Sequence, residues 1–235
     1  METKLAVILD TETTGIIEPV LIEAGMIIID GSPSDNQNKT FIKRYNPGKP
    51  ISYGAMATHG ILDEDLKDCP PASEFCLPEN TGYIIGHNVD YDWSVIGKPD
   101  VKRIDTLAMA KAVWEGFDAY NLSALSYALT EPDKRAKLRE FLAGRHNALT
   151  DAKLCLNILR LILKEKPELN SWGSIWRFSE ESRIPRVMPF GKHKGTPIKD
   201  VPQDYKDWLK GQADIDEYLL IALNGVDVED TNKGL

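Results

Sequence analysis

Apolar residues fall along this chain in two rhythms. Leu5 to Leu9 is an unbroken apolar run, too short for a core helix and right for a strand covered on both faces. Ile22 to Ile29 is a second run, containing Gly25, and Asp30-Gly31-Ser32-Pro33 closes it as a turn. Lys39 to Tyr45 alternates loosely, so this opening stretch predicts three strands joined by turns, an antiparallel meander. A short helical stretch is expected around Gly54-Ala55-Met56-Ala57, and Asp63, Glu64, Asp65 and Asp68 read as a solvated acidic face. Tyr83–Ile85 and Val101–Ile104 are shorter strands. Thereafter the spacing becomes helical. Asp105-Thr106 caps a helix over 107–114, and Asn121 caps one over 122–129 with Leu122, Leu125 and Leu129 along one stripe. A charged helix is expected over 133–142. The longest runs over 148–166, burying Ala152, Cys155, Leu159 and Ile162 and stopped by Pro167. A meander followed by alternating strands and helices implies an α/β fold, a mixed sheet with helices on both faces.

The character changes after Pro167, which divides the chain into three parts: a large domain over 1–167, a linker or return segment over 168–185 packed by Trp172, Trp176 and Phe178, and a small α+β module over 186–235. The module opens with a hairpin-like turn, Met188 to Gly195, and continues with short helices over 201–208 and 215–223. With 235 residues, 42% hydrophobic and 27% charged, the chain can bury a sizeable core. It has no long apolar run and no apolar leader, so a soluble protein of the cytoplasm with no membrane partner is expected. Cys69, Cys76 and Cys155 are scattered, making neither a disulfide framework nor a zinc knot. A net charge of -8 argues against non-specific gripping of long duplex by phosphate neutralisation, but not against an enzyme that holds a few nucleotides over metal ions.

The candidate chemistry lies in four acids. Asp10 and Glu12 follow the first strand with one residue between them, so their side chains share a side and repel unless a cation sits between them. Alone, this pair is equally well a strand end and a polar turn. Asp92 stands in the first turn of a helix leaving the strand at 83–85, and Asp151 in the first turn of the long helix, where the helix dipole favours a negative side chain. Oxygen ligands without a thiolate cluster suit Mg2+ or Mn2+, and a pair of such ions can hold a phosphate and activate a water. His146, ahead of the long helix, has an imidazole able to take a proton from that water, or to cap the helix.

Three segments in this order, Asp10-Thr-Glu12-Thr-Thr-Gly15, His87-Asn-Val-Asp-Tyr-Asp92 and His146-Asn-Ala-Leu-Thr-Asp151, resemble the DEDDh 3′–5′ exonucleases, the family that includes the proofreading subunit of bacterial DNA polymerase III. Phe190-Gly-Lys-His-Lys-Gly195 followed by Tyr205-x-x-Trp208-Leu209 resembles the C-terminal module of bacterial exonuclease X. The resemblance implies a ribonuclease H-like fold with a five-stranded mixed sheet flanked by helices, and two Mg2+ or Mn2+ ions held by Asp10, Glu12, Asp92 and Asp151, with His146 as general base. It implies that Thr13 and Thr14 meet the terminal nucleotide through backbone groups, that His59 lines the terminal base pocket and that Leu122 packs near it. The implied substrates are DNA 3′ ends, single-stranded or frayed, releasing nucleoside 5′-monophosphates. The alternatives are RNA strands and a catalytically silent nucleic-acid- or polymerase-binding module. Tyr91 replaces the family's usual Phe, and its hydroxyl needs a partner; Asp90 competes with Asp92 for the site, and the family's spacing favours Asp92. Lys192 and Lys194, framed by Gly191 and Gly195, are candidate nucleic-acid contacts in the small module.

Overall fold

The structure, a computed structural model, describes residues 4–35, 38–143 and 147–225. Its strands are β1 (Leu5–Thr13), β2 (Leu21–Ile29), β3 (Asn38–Arg44), β4 (Thr81–Gly86) and β5 (Lys102–Asp105), joined in one five-stranded sheet of order β3-β2-β1-β4-β5. β1 pairs antiparallel with β2, and β2 with β3; β1 with β4 and β4 with β5 are parallel. The sheet is therefore mixed, as the meander and the later alternation predict, and the fold is α/β of the ribonuclease H-like kind.

The helices are α1 (Tyr53–His59), α2 (Val89–Val95), α3 (Thr106–Val113), α4 (Leu122–Leu129), α5 (Arg135–Leu142), α6 (Ala148–Glu165), α7 (Trp172–Arg183), α8 (Gln203–Lys210) and α9 (Glu217–Leu223). β1 is covered on both sides because its side chains alternate between faces. Ala6 and Ile8 join Ile27, Ile29, Ile85 and Ile104 in a core with α3, α4 and α6, while Leu9 lies on the opposite face with Leu21, Ala24 and Tyr45. Leu154, Leu156, Ile158, Leu159 and Ile162 of α6 are all buried. At about 2 kcal/mol each, their transfer from water contributes on the order of 10 kcal/mol before chain entropy.

The chain divides into two compact units, Met1–Ser179 and Glu180–Leu235. Leu169, Trp172 and Ile175, from the segment read as linker, lie in the main core of the first. The second has its own small core of Met188, Ile198, Val201, Leu209, Leu219 and Leu223. An antiparallel bridge between Val187 and Pro197 closes its opening turn. Among the described residues no helix is long and apolar enough to cross a membrane.

Candidate metal centre

β1 does not stop at Leu9, as the apolar run alone suggests, but continues to Thr13, because β2 keeps pairing with it: Asp10 lies opposite Gly25 and Glu12 opposite Glu23. The two acids thus sit on a fixed strand, on the face that carries Ala6 and Ile8. Asp151 reaches them from the first turn of α6, whose N-cap is Asn147, with Oδ1 accepting the Thr150 N–H. The carboxylates of Asp10, Glu12 and Asp151 come within 4.8 Å of one another. Thr11 and Thr13 point to the other face, against α2. There the Thr11 hydroxyl donates to Asp92 Oδ1 at 2.6 Å, and the Thr13 and Tyr91 hydroxyls meet at 2.8 Å, which gives the tyrosine hydroxyl its partner. Asp92 lies outside the group of three, yet it is the foremost of the charges acting on Asp10.

Burial and mutual repulsion set the protonation of this cluster. Asp10 is pushed well above the usual carboxylate range, first by burial and then by Asp92, Asp151, Glu12 and Glu23. Glu12 is pushed up to about 8 by burial, reinforced by Asp151, Glu23 and Asp92. Burial pushes Asp92 up to about 7 against the hydrogen bond from Thr11, which favours its charged form. Acids whose charged forms are disfavoured first by burial and, at Asp10 and Glu12, by neighbouring carboxylates make a site that added positive charge would relieve. All the donors are hard oxygens, the set that Mg2+ or Mn2+ takes. The residues therefore fit a divalent cation.

Two residues that a reading of motifs passes over fix the geometry. Glu23 is 1% exposed, and its Oε1 accepts both the Ala148 backbone N–H and the Asn147 side-chain amide at 3.1 Å. Its Oε2 pairs with Arg44 Nε at 2.9 Å. Glu23 thus caps α6 and ties it to β2 directly opposite Glu12. Gly25 lets the two backbones meet: a Cβ there would lie 2.2 Å from the Ala148 carbonyl carbon. An acid inside an apolar strand and a glycine in the same strand are the sequence signals for such a buried clamp and close approach.

The remaining candidates fall in different places. A cavity of about 800 Å³ beside Glu12 is lined by Thr13, Thr14, Lys49, Ser52, His59 and Tyr91, with Ile16 and Ile17 on its wall, 88% and 87% exposed. The Thr14 N–H already donates to the Val20 carbonyl, and the Thr14 carbonyl accepts from Ser52 N–H, so a ligand using those groups shares or displaces both bonds. His59 Nδ1 accepts the Ile61 N–H. Leu122 packs against the main core and does not line this cavity. Asp90, the rival of Asp92, is ion-paired with Arg103 at 2.6 Å. His146 lies outside the described residues. Lys192 and Lys194 belong to the second unit. His87 is anchored away from the acids, Nε2 donating to the Tyr120 carbonyl at 2.6 Å and Nδ1 facing Thr106 Oγ1, and burial lowers its pKa.

A half-buried carboxylate trio from β1 and α6, with Asp92 of α2 beside it, fits the metal centre of a phosphodiester hydrolase. Comparison with known proteins gives the family. The exonuclease profile matches residues 7–159, and the chain belongs to that family as a DEDDh-type 3′–5′ exonuclease, a phosphodiester hydrolase. It is 25% identical over 215 residues to exodeoxyribonuclease 10 of Escherichia coli K12, covering 88% of this chain and 91% of that protein. It is 31% identical over 179 residues to the DNA polymerase III epsilon subunit of Rickettsia conorii, covering 67% and 73%. Among solved structures it resembles exonuclease X in complex with 5′ overhanging duplex DNA, with TM-score 0.56, 24% identity and 69% and 93% of the two chains covered. It also resembles E. coli exonuclease I in complex with a dA16 oligonucleotide, with TM-score 0.56, 16% identity and 79% and 46% covered. These two likenesses concern the fold. Residues 181–214 match a separate family described as a putative quorum-sensing-regulated virulence factor.

Proposed function

We propose that the chain shortens DNA from its 3′ ends, single-stranded or frayed, releasing nucleoside 5′-monophosphates by hydrolysis with two Mg2+ or Mn2+ ions. The observation that carries this reading is the half-buried trio Asp10, Glu12 and Asp151 within 4.8 Å, in a chain of the exonuclease family. DNA is favoured by the names of the relatives, an exodeoxyribonuclease and a DNA polymerase subunit.

Asp10, Glu12 and Asp151, with Asp92 beside them, would hold the ions. When bound, the ions supply positive charge that keeps the carboxylates ionised, acidify a water and stabilise charge on the phosphate and leaving oxygen. The cavity beside Glu12, its floor fixed by the bonds of Thr14 to Val20 and Ser52, seats the terminal nucleotide. His146 takes the proton of the water that attacks phosphorus in line. The bond from phosphorus to the 3′-oxygen of the preceding nucleotide breaks, and that oxygen is protonated from solvent.

The test is digestion of matched DNA and RNA strands, labelled at either end, with Mg2+, Mn2+ or chelator. Stepwise loss of mononucleotides from DNA 3′ ends that stops in chelator is expected. Preferential loss from RNA would replace the substrate, and no release from either strand would replace the enzyme with a binding module.

A further inference from the structure

The second unit carries a surface that the chemistry at Asp10 does not use. α8 places Tyr205 and Trp208 three residues apart, hence on one helical face, while Leu209 turns into the small core. Their rings meet at 5.4 Å between centroids, tilted by 37°, and His193 adds an edge-on contact with Tyr205 at 4.7 Å. Trp208 is nevertheless 57% exposed, and Phe190 is 50% exposed. Large aromatic rings left in water while partly stacked on one another offer a π-face to a further ring.

The turn over residues 190–195 is built to lie against these rings. Gly191 has φ +74°, a conformation strained for any other residue, and a Cβ there would press on the Tyr205 hydroxyl at 2.6 Å. Four backbone hydrogen bonds fix its course: Met188 N–H to the Thr196 carbonyl, Gly195 N–H to Met188, Lys194 N–H to Gly191, and Thr196 N–H to His193. Met188, 1% exposed, anchors it in the small core. Lys192 and Lys194 therefore leave a fixed turn on either side of His193. Among the described residues neither lysine is paired with a carboxylate. From Arg186 to Lys199 the chain holds four basic residues and no acidic one, in a protein of net charge -8.

We propose that the second unit is a single-strand DNA-binding module, in which Trp208 and Phe190 stack on bases while Lys192 and Lys194 neutralise phosphates. Planar bases and a regular phosphate charge are what such a surface complements, without base-edge readout. Its role is to keep a strand on the enzyme between cleavage events, through the high effective concentration of a linked second site. The choice of DNA as the strand rests on the proposed function; the binding itself needs no catalysis.

The test uses the full chain carrying D10N, in chelator, with fluorescence anisotropy of a labelled dT20 strand over a range of salt. Adding W208A should weaken binding about tenfold, and W208F should restore most of it, since a phenyl ring still stacks. Adding K192A/K194A should lower the slope of log affinity against log salt by about 1.4. F141A removes an exposed aromatic of the first unit and should leave affinity unchanged. Equal affinity of D10N with and without W208A, at unchanged thermal midpoint, would overturn the proposal. So would a failure of W208F to bind better than W208A.

Discussion

The acid cluster of the first unit and the aromatic turn of the second are opposite ways of dealing with a polyanion. Asp10, Glu12 and Asp151 are partly buried, crowded and mutually repelling, and only added cations make them attractive to a phosphate. Lys192 and Lys194 are exposed, carry their own positive charge and stand beside accessible rings. The difference teaches what each task demands. Bond cleavage needs groups fixed in a poorly hydrated place before the substrate arrives, so its residues are clamped by neighbours such as Glu23. Retention of a strand tolerates sliding, so its residues can stand in water on a turn that is rigid only in its backbone.

Breaking the first region should have the larger effects. D151N removes one member of the trio while the fold keeps its packing, and kcat should fall on the order of 10³-fold or more with the thermal midpoint preserved or raised. A steady-state rate near that of the wild type would detach Asp151 from the chemistry. E23Q keeps the shape but sets an amide against Arg44 Nε, so the cap of α6 loosens. Its kcat should drop about 10- to 100-fold with KM little changed, and E23D should recover part of it, whereas an effect on KM alone would contradict a clamping role.

The pH response sharpens the contrast. In the folded apo protein Glu12 keeps its proton up to about 8 and Asp92 up to about 7. The unfolded chain loses both protons at roughly pH 4. Between those limits the folded state binds more protons, so apo stability should fall as pH rises from about 5 to 8, by at most about 1.4 kcal/mol per pH unit for each group. Urea midpoints across this range would measure it, and saturating Mn2+ should flatten or reverse the fall. A midpoint that rises with pH in the apo protein would contradict the buried-acid electrostatics. The smallest effect is expected from Y91F, which removes a hydroxyl bonded to Thr13 and should cost about 1 kcal/mol of stability with activity within a few fold.

Much of this was legible in the chain. The runs at Leu5–Leu9 and Ile22–Ile29 mark the central strands because strands buried on both faces leave an uninterrupted apolar signature. The helix caps at Asp105 and Asn121 are side chains that compete for free backbone N–H groups, and both accept the expected bonds. What stayed hidden depends on partners distant in sequence. The length of β1 is set by pairing with β2, not by its own residues, and Glu23 reaches Asn147 across 124 positions. Asp90 and Asp92 are the same residue type two positions apart, and only the family's spacing favours Asp92 in the sequence; the physical separation, Asp90 paired with Arg103 and Asp92 bonded to Thr11, exists only in space. The aromatic turn was visible as spaced glycines and lysines, but the stacking of His193, Tyr205 and Trp208 was not.

The central claim is that the carboxylates around Asp10 wait, partly protonated, for divalent metal. Calorimetric titration of Mn2+ into the apo protein near pH 7, in two buffers of different ionisation enthalpy, tests it most directly. The account predicts saturable binding accompanied by proton release, because ligating carboxylates must give up the protons that burial holds on them, and loss of both in D10N. Binding without proton release, or equal binding by D10N, would contradict it.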